Sequence, residues 1–235
     1  MLTLVFSVNS NVFADLIFSA PPRGTEKEER ATYEPLAQAM SDTLGEKVTY
    51  VYPRDFIQYS VDMQKGRYDI VFDGPHFSQW RVVNLNHTIL VNLPENLQFL
   101  VVTPKGRKNV NTLHDLVYET VCAQLTPQLG TLMLLKNYYE RAAEPQLHLV
   151  HGEDKVFTDF SAGKCTAAVL RDKTFYKMTK AERAAYKVIY KSEIAPNDAI
   201  TANNKISRKQ RKALIALLTN PERMKVAGMI FDRDL

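Results

Sequence analysis

At 235 residues, 45% hydrophobic and 24% charged, the chain has the make-up of a globular protein with room for one large domain or two small ones. Its 30 basic and 26 acidic residues leave a formal charge of +4. Only Ser207 to Lys212 is locally basic, which speaks for a solvated helix start rather than a nucleic-acid surface. No run approaches the roughly 18 apolar residues of a membrane span.

Leu2 to Val8 is a short apolar run, and Val12-Phe13-Ala14 ends on a small residue. Together they read as the end of a secretory signal peptide, residues 1–14, with Asp15 as the first mature residue and the periplasm as its destination. The other reading makes Leu2 to Val8 a first strand. Leu16 to Ser19 is a strand, followed by the loop Pro21-Pro22-Arg23-Gly24. Glu26 to Leu44 reads as a helix, because Tyr33, Leu36, Ala37, Met40 and Leu44 recur at helical spacing and Gly45 stops it. Val48 to Tyr52 and Asp69 to Phe72 are strands around a helix from Asp55 to Lys65. His76 to Val83 is a short helix. This alternation predicts a parallel sheet with helices on both faces.

The rhythm changes at Leu93 to Val102, where Asn96 to Val102 is a long strand flanked by Pro94 and Pro104. A second alternating set follows: a short helix from Asn111 to Leu116, strand Thr120 to Ala123, helix Leu129 to Arg141, strand Leu147 to Val150, helix Asp154 to Ala162 and strand Thr166 to Leu170. A helical stretch from Thr179 to Tyr186 leads into extended segments at Val188 to Tyr190 and Ala195 to Ile200. Helices at Ser207 to Thr219 and Pro221 to Phe231 close the chain. The expectation is an α/β protein of two lobes, each a mostly parallel sheet flanked by helices, joined by two extended hinge crossings. Residues 15–95 plus 200–235 make the first lobe and 96–199 the second.

Ligands in open α/β sheets sit where strands end in polar turns that open into helices. The run Asp73-Gly74-Pro75-His76 is one such turn, after the apolar strand Ile70 to Phe72. The second follows Val121-Cys122-Ala123 and runs from Gln124 through Thr126, Pro127, Gln128, Leu129 and Gly130 to Thr131. Its hydroxyls, amides and the free N–H groups of Leu129, Gly130 and Thr131 suit an oxyanion. Thr126 also reads as a helix cap with Pro127 at the first helical position. Arg23, Tyr52, Arg54, His151 and Arg171 fall at the same sheet edge. Cys122 and Cys165 are an even pair on neighbouring strands and fit a disulfide in an exported chain; a two-cysteine metal or metalloid site is the alternative. No nucleophile elbow, phosphate loop, dinucleotide fingerprint or zinc-protease motif is present, and no nucleophile accompanies Asp73 and His76, so binding is expected rather than catalysis.

Several runs together carry a resemblance. They are Leu36-Ala37, Gly66-Arg67-Tyr68-Asp69-Ile70-Val71 with Gly74-Pro75, Leu100-Val101-Val102, Gly163-Lys164-Cys165-Thr166-Ala167-Ala168-Val169, and Pro196-Asn197-Asp198-Ala199-Ile200. With them the chain resembles the phosphate- and phosphonate-type substrate-binding proteins of ABC transporters, which adopt the type II periplasmic binding fold. The resemblance implies export, two lobes about a hinge, no enzymatic activity and no cofactor. It also implies a small anionic ligand between the Gly74-Pro75 turn and the helix near Gly130, delivered by a monomer to a membrane permease; a sensor kinase is the alternative partner. One departure stands out. Phosphonate-binding members resemble one another in a hydroxyl-rich Ser-Thr-Ser-Gly run where this chain has Pro127-Gln128-Leu129-Gly130. Losing two charged hydrogen bonds weakens phosphonate binding by about two to four decades. That favours another oxyanion, or an organic solute using Gln128 and the aromatic rings of Tyr52, Phe77 and Trp80.

Overall fold

The computed structural model describes residues 15–225. The signal-like segment and the end of the last expected helix lie outside the described residues. The first sheet takes β1 (Leu16–Ser19), β2 (Val48–Tyr50), β3 (Ile70–Asp73) and β4 (Thr88–Asn92). The second takes β5 (Phe99–Pro104), β6 (Thr120–Gln124), β7 (Gln146–Val150), β8 (Ala167–Arg171) and β9 (Tyr186–Lys191), after which β10 (Ala199–Ala202) returns to the first. The strand orders are β2-β1-β3-β10-β4 and β7-β6-β8-β5-β9. Each sheet is parallel except for one strand that enters from the other side: β10 runs against β3 and β4, and β5 runs against β8 and β9.

Two extended segments, 93–98 and 192–198, cross between the sheets side by side. Leu97 and Ala195 exchange both backbone hydrogen bonds at 2.8 and 2.9 Å. The Asn197 amide donates to the Pro94 carbonyl at 2.9 Å, and the Leu93 N–H to the Asp198 carbonyl at 2.8 Å. The strand expected from Asn96 therefore begins only at Phe99. Residues 96–98 belong to the crossing, where pairing is with one neighbour at one point. The strand β4 is an addition to the sequence reading.

Helices cover both faces of both sheets: α1 (Glu26–Leu44), α2 (Phe56–Gln64), α3 (Pro75–Leu85), α4 (Leu129–Leu135), α5 (Glu153–Ser161), α6 (Asp172–Lys177), α7 (Lys180–Arg183), α8 (Arg208–Leu218) and α9 (Pro221–Met224). Thr25 and Glu28 close a reciprocal capping box at the start of α1, and Gly45 ends it in the left-handed conformation at φ 67°. The helix continues through Pro35, which costs about 3 kcal/mol in a helix interior. Burial of Tyr33, Leu36, Ala37 and Met40 against β1, β3 and α8 offsets it. Tyr59, Met63 and Phe77 of α2 and α3 pack on the opposite face around Val71. In the second sheet Leu134 of α4 covers one face, and Val156 and Phe160 of α5 cover the other.

Two helical expectations need correction. The helix expected from Leu129 to Arg141 stops at Leu135, because the Asn137 amide turns back onto the carbonyls of Met133 and Leu134 and Tyr138 reaches away to the Leu113 carbonyl. The stretch from Thr179 to Tyr186 is one turn only, α7, preceded by the unforeseen α6; Tyr186 already opens β9. The short helix before β6 is a 3-10 turn from Leu113 to Leu116.

Cys122 and Cys165 form a disulfide with a Cα–Cα distance of 5.6 Å. Cys122 lies on β6, and Cys165 enters β8, its parallel neighbour. The bond is buried among Val156, Phe160 and Leu170.

His87 follows α3 and is buried, with Nδ1 3.0 Å from the Thr201 hydroxyl of β10. Burial first, and then the charge of Arg81, hold its pKa down at about 4. The unfolded chain, titrating near 6.5, binds the extra proton first, so this stabilisation is full above pH 6.5 and is lost as pH falls toward 4. Stability should fall by about 3 kcal/mol across that window. Urea titrations at stepped pH check this, and His87→Gln should flatten the slope.

Candidate functional site

The turns after β1, β3, β6 and β7, the end of β8 and the two crossings line one cavity of about 290 Å³ between the sheets. From the first sheet come Arg23, Gly74, Pro75 and His76. From the second come Phe99, Gln124, Pro127, Gln128, Leu129, His151, Glu153 and Arg171; Leu97 and Asp198 come from the crossings. An annex of about 20 Å³ adjoins it, sharing Phe99, Gln124, Gln128, Glu153 and Arg171 and adding Gly130 and Thr131.

The turn after β3 is set by its sequence. Gly74 is extended and precedes Pro75 at the first helical position. A Cβ on Gly74 would stand 3.2 Å from the His76 ring and 3.5 Å from Asp198 Oδ1, so glycine lets both crowd the cavity floor. The His76 ring rests on Phe77 with centroids 4.3 Å apart and faces the Pro127 carbonyl from the other sheet. Burial lowers its pKa, so the imidazole is neutral near pH 7, with the nearby Asp73 charge and the Pro127 carbonyl opposing the shift.

The turn after β6 differs from the sequence reading. Thr126-Pro127 is a cis peptide, and the Gln128 N–H closes the turn onto the Leu125 carbonyl at 3.0 Å. The helix cap is therefore Gln128, not Thr126, and Pro127 lies before the helix. Thr126 is exposed on a separate outer groove with Ile57 and Val61. Thr131 is buried and spends its hydroxyl on the Gln124 carbonyl at 2.6 Å. Phe99 packs so closely on Gly130 that a Cβ there would lie 2.6 Å from the ring, so Gly130 reaches only the annex. A hydroxyl-lined oxyanion cradle is thus absent from this wall.

Asp73 and Tyr52 also depart from expectation. Asp73 is wholly buried beneath the turn; it accepts from Arg81 Nε at 2.6 Å and from the Tyr59 hydroxyl, away from the cavity. Tyr52 donates to the Gly24 carbonyl at 3.1 Å and does not line the cavity. Trp80 packs beside Tyr59 and Met63, while Phe77 does reach the cavity. The expected residues that the fold brings together are Arg23, Gly74, Pro75, His76, Gln128, Leu129 and Arg171, with Gly130 and Thr131 behind them.

The charges divide into a closed pair and an open group. Arg23 Nη1 meets Asp198 Oδ2 at 2.6 Å, and its guanidinium lies over the Phe72 ring. Arg171 makes no side-chain hydrogen bond or ion pair with any described residue, and its Nε is buried without a partner. Glu153 engages the Arg171 backbone N–H through Oε1, and its other oxygen is uncommitted. Glu153 and Asp198 were not foreseen as site residues. Glu153 had a signal: an acidic residue just after β7, at the edge that gathers ligands. Among the described residues no cluster of three metal-ligating side chains occurs, and no helix is long and apolar enough to cross a membrane.

Known proteins share this architecture. A Xanthomonas citri protein bound to ATP superposes with a TM-score of 0.72 at 13% identity, covering 94% of this chain and 90% of that one. PhnD1 from Prochlorococcus marinus in complex with methylphosphonate gives 0.65 at 13% identity, with 93% and 92% covered. A binding protein component of an ABC phosphonate transporter from Pseudomonas aeruginosa gives 0.62 at 17% identity, with 93% and 81% covered. The fold is that of the type II periplasmic binding proteins. A search of curated proteins returns no match. The model of the family described as ABC transporter, phosphonate, periplasmic substrate-binding protein matches residues 18–228. The chain therefore belongs to the periplasmic substrate-binding proteins of phosphonate ABC transporters, a family of solute-binding transport proteins and not of enzymes.

Proposed function

We propose that this protein captures a small anion in the cavity between its sheets, with Arg171 as the anchor, and hands it to an ABC permease. The observation that carries this is the Arg171 guanidinium: partly buried, at the end of β8, and without any carboxylate of its own. Arginine in such a place offers a planar fork of donors to an oxyanion. The free amides of Gln124 and Gln128 stand on the same wall. The ligands named for two structural relatives, methylphosphonate and ATP, both carry oxyanions. A cavity of about 290 Å³ suits a small solute.

Residues 15–95 with 200–235 act as one lobe and 96–199 as the other, closing about the paired crossings over the ligand. Arg23, held by Asp198, shapes the floor; His76 contributes a neutral ring from the first lobe. The protein works as a periplasmic monomer, with 1–14 as the export leader. No observation favours the sensor-kinase partner.

A thermal-shift screen over small anions tests this. A true ligand at 100 times its Kd adds roughly 2.7 kcal/mol of stability. Arg171→Gln should weaken that ligand by about 10- to 100-fold without lowering the melting temperature of the empty protein. An anion that binds Arg171→Gln as well as the wild type would remove Arg171 from the site.

A further inference from the structure

We infer that the group seated on Arg171 is a carboxylate, on a ligand with no further negative charge, rather than a phosphonate. This rests on the anion-binding reading above and concerns which anion the site is built for.

Charge comes first. The formal charges lining the cavity are Arg23, Arg171, Asp198 and Glu153, and they sum to zero. A phosphonate has two ionisable oxygens and carries more than a single negative charge near pH 7. It would bring that charge against a Glu153 carboxylate whose second oxygen has no partner. A carboxylate brings a single charge. A cationic group elsewhere on the ligand would find Glu153 and the uncommitted Oδ1 of Asp198.

Shape comes second. The annex at Arg171 holds about 20 Å³, room for one water-sized oxygen. A carboxylate is flat, and its two oxygens match the two-pronged edge of a guanidinium. One oxygen fills the annex and the other stays in the main cavity. A phosphonate spreads three oxygens in a pyramid, and the annex has room for only one of them.

Hydrogen-bond capacity comes third. A carboxylate offers about four lone-pair sites, which Arg171 with the Gln124 and Gln128 amides can fill. A phosphonate needs more donors. The wall that would supply them carries no free hydroxyl, only the backbone N–H groups at the start of α4: Thr131 is committed to Gln124, and Thr126 lies outside the cavity. Unpaired anionic oxygens in a closed site cost affinity directly.

The experiment is calorimetric titration of the intact protein with matched pairs: propionate and ethylphosphonate, benzoate and phenylphosphonate, β-alanine and aminoethylphosphonate. In at least one pair the carboxylate should bind at least about tenfold more tightly than its phosphonate. Arg171→Gln should weaken that carboxylate at least about tenfold, Arg171→Lys less, and Gln128→Ala about three- to tenfold. Urea unfolding of each variant establishes that it is folded. If a phosphonate binds as tightly as its carboxylate or more so in every pair, and Arg171→Gln weakens it, the anion site stands and the carboxylate assignment falls. If no member of any pair binds, or Arg171→Gln leaves the affinity unchanged, both fall. The β-alanine pair, set against the other two, reports whether the ligand also carries an ammonium group.

Discussion

Replacing Asp73 with Ala is expected to destabilise the protein by about 3–5 kcal/mol while leaving the ligand affinity of the folded fraction unchanged. Asp73 and Arg81 are both 0% exposed and meet at 2.6 Å. The Tyr59 hydroxyl bonds to both, and the rings of Tyr59 and Tyr68 lie against the guanidinium, 5.5 and 5.6 Å from its carbon. Arg81 Nη1 already lacks a partner. Removing Asp73 leaves a buried arginine uncompensated, which is why the loss exceeds that of a surface pair. Replacing both residues, Asp73→Leu with Arg81→Met, should recover much of the loss. Urea unfolding of the three variants reads this directly. A ligand-contacting Asp73 would give the reverse pattern, with affinity lost and stability nearly intact.

Reduction of the Cys122–Cys165 bond should lower stability by about 4 kcal/mol. The bond closes a loop spanning a sequence separation of 43 residues. Releasing that loop restores chain entropy to the unfolded state, and the logarithmic dependence on loop length gives this magnitude. The bond is buried between β6, β8 and α5, so reduction should need partial unfolding or denaturant. Unfolding midpoints of Cys122→Ala with Cys165→Ala against the oxidised protein provide the check. The effect should be confined to stability, because neither cysteine lines the cavity. A double variant as stable as the oxidised protein would show that the second sheet's packing alone fixes β8 beside β6.

The sequence made the sheet edge legible but not the aim of each side chain. Residues after apolar strands cluster at one edge, and Arg23, Gly74, His76, Gln128 and Arg171 all reach the cavity from there. Asp73, Tyr52 and Thr126 sit at the same edge, yet point into the core, onto a loop carbonyl and to an outer groove. A one-residue change of direction in a turn decides this, and composition does not encode it. The cap falls at Gln128 because the preceding turn closes onto the Leu125 carbonyl, a choice that the residues themselves leave open. Glu153 fell just before the helix expected from Asp154, and Asp198 read as part of a crossing. The strand β4 begins two residues after the left-handed Asn86, too close to α3 to stand out as a separate apolar run. Long helices with capping boxes and buried strands, such as α1 and β3, were legible because pattern, cap and burial agree.

If the cavity between the sheets is an anion site anchored by Arg171, anion binding must depend on that residue. Native mass spectrometry of the wild type and Arg171→Gln, each mixed with the same pool of small carboxylates, phosphonates and inorganic oxyanions, tests it most directly. Wild-type molecules should carry one bound anion each, and Arg171→Gln under the same conditions a much smaller bound fraction. Equal adducts on both proteins, or none on the wild type, would contradict it.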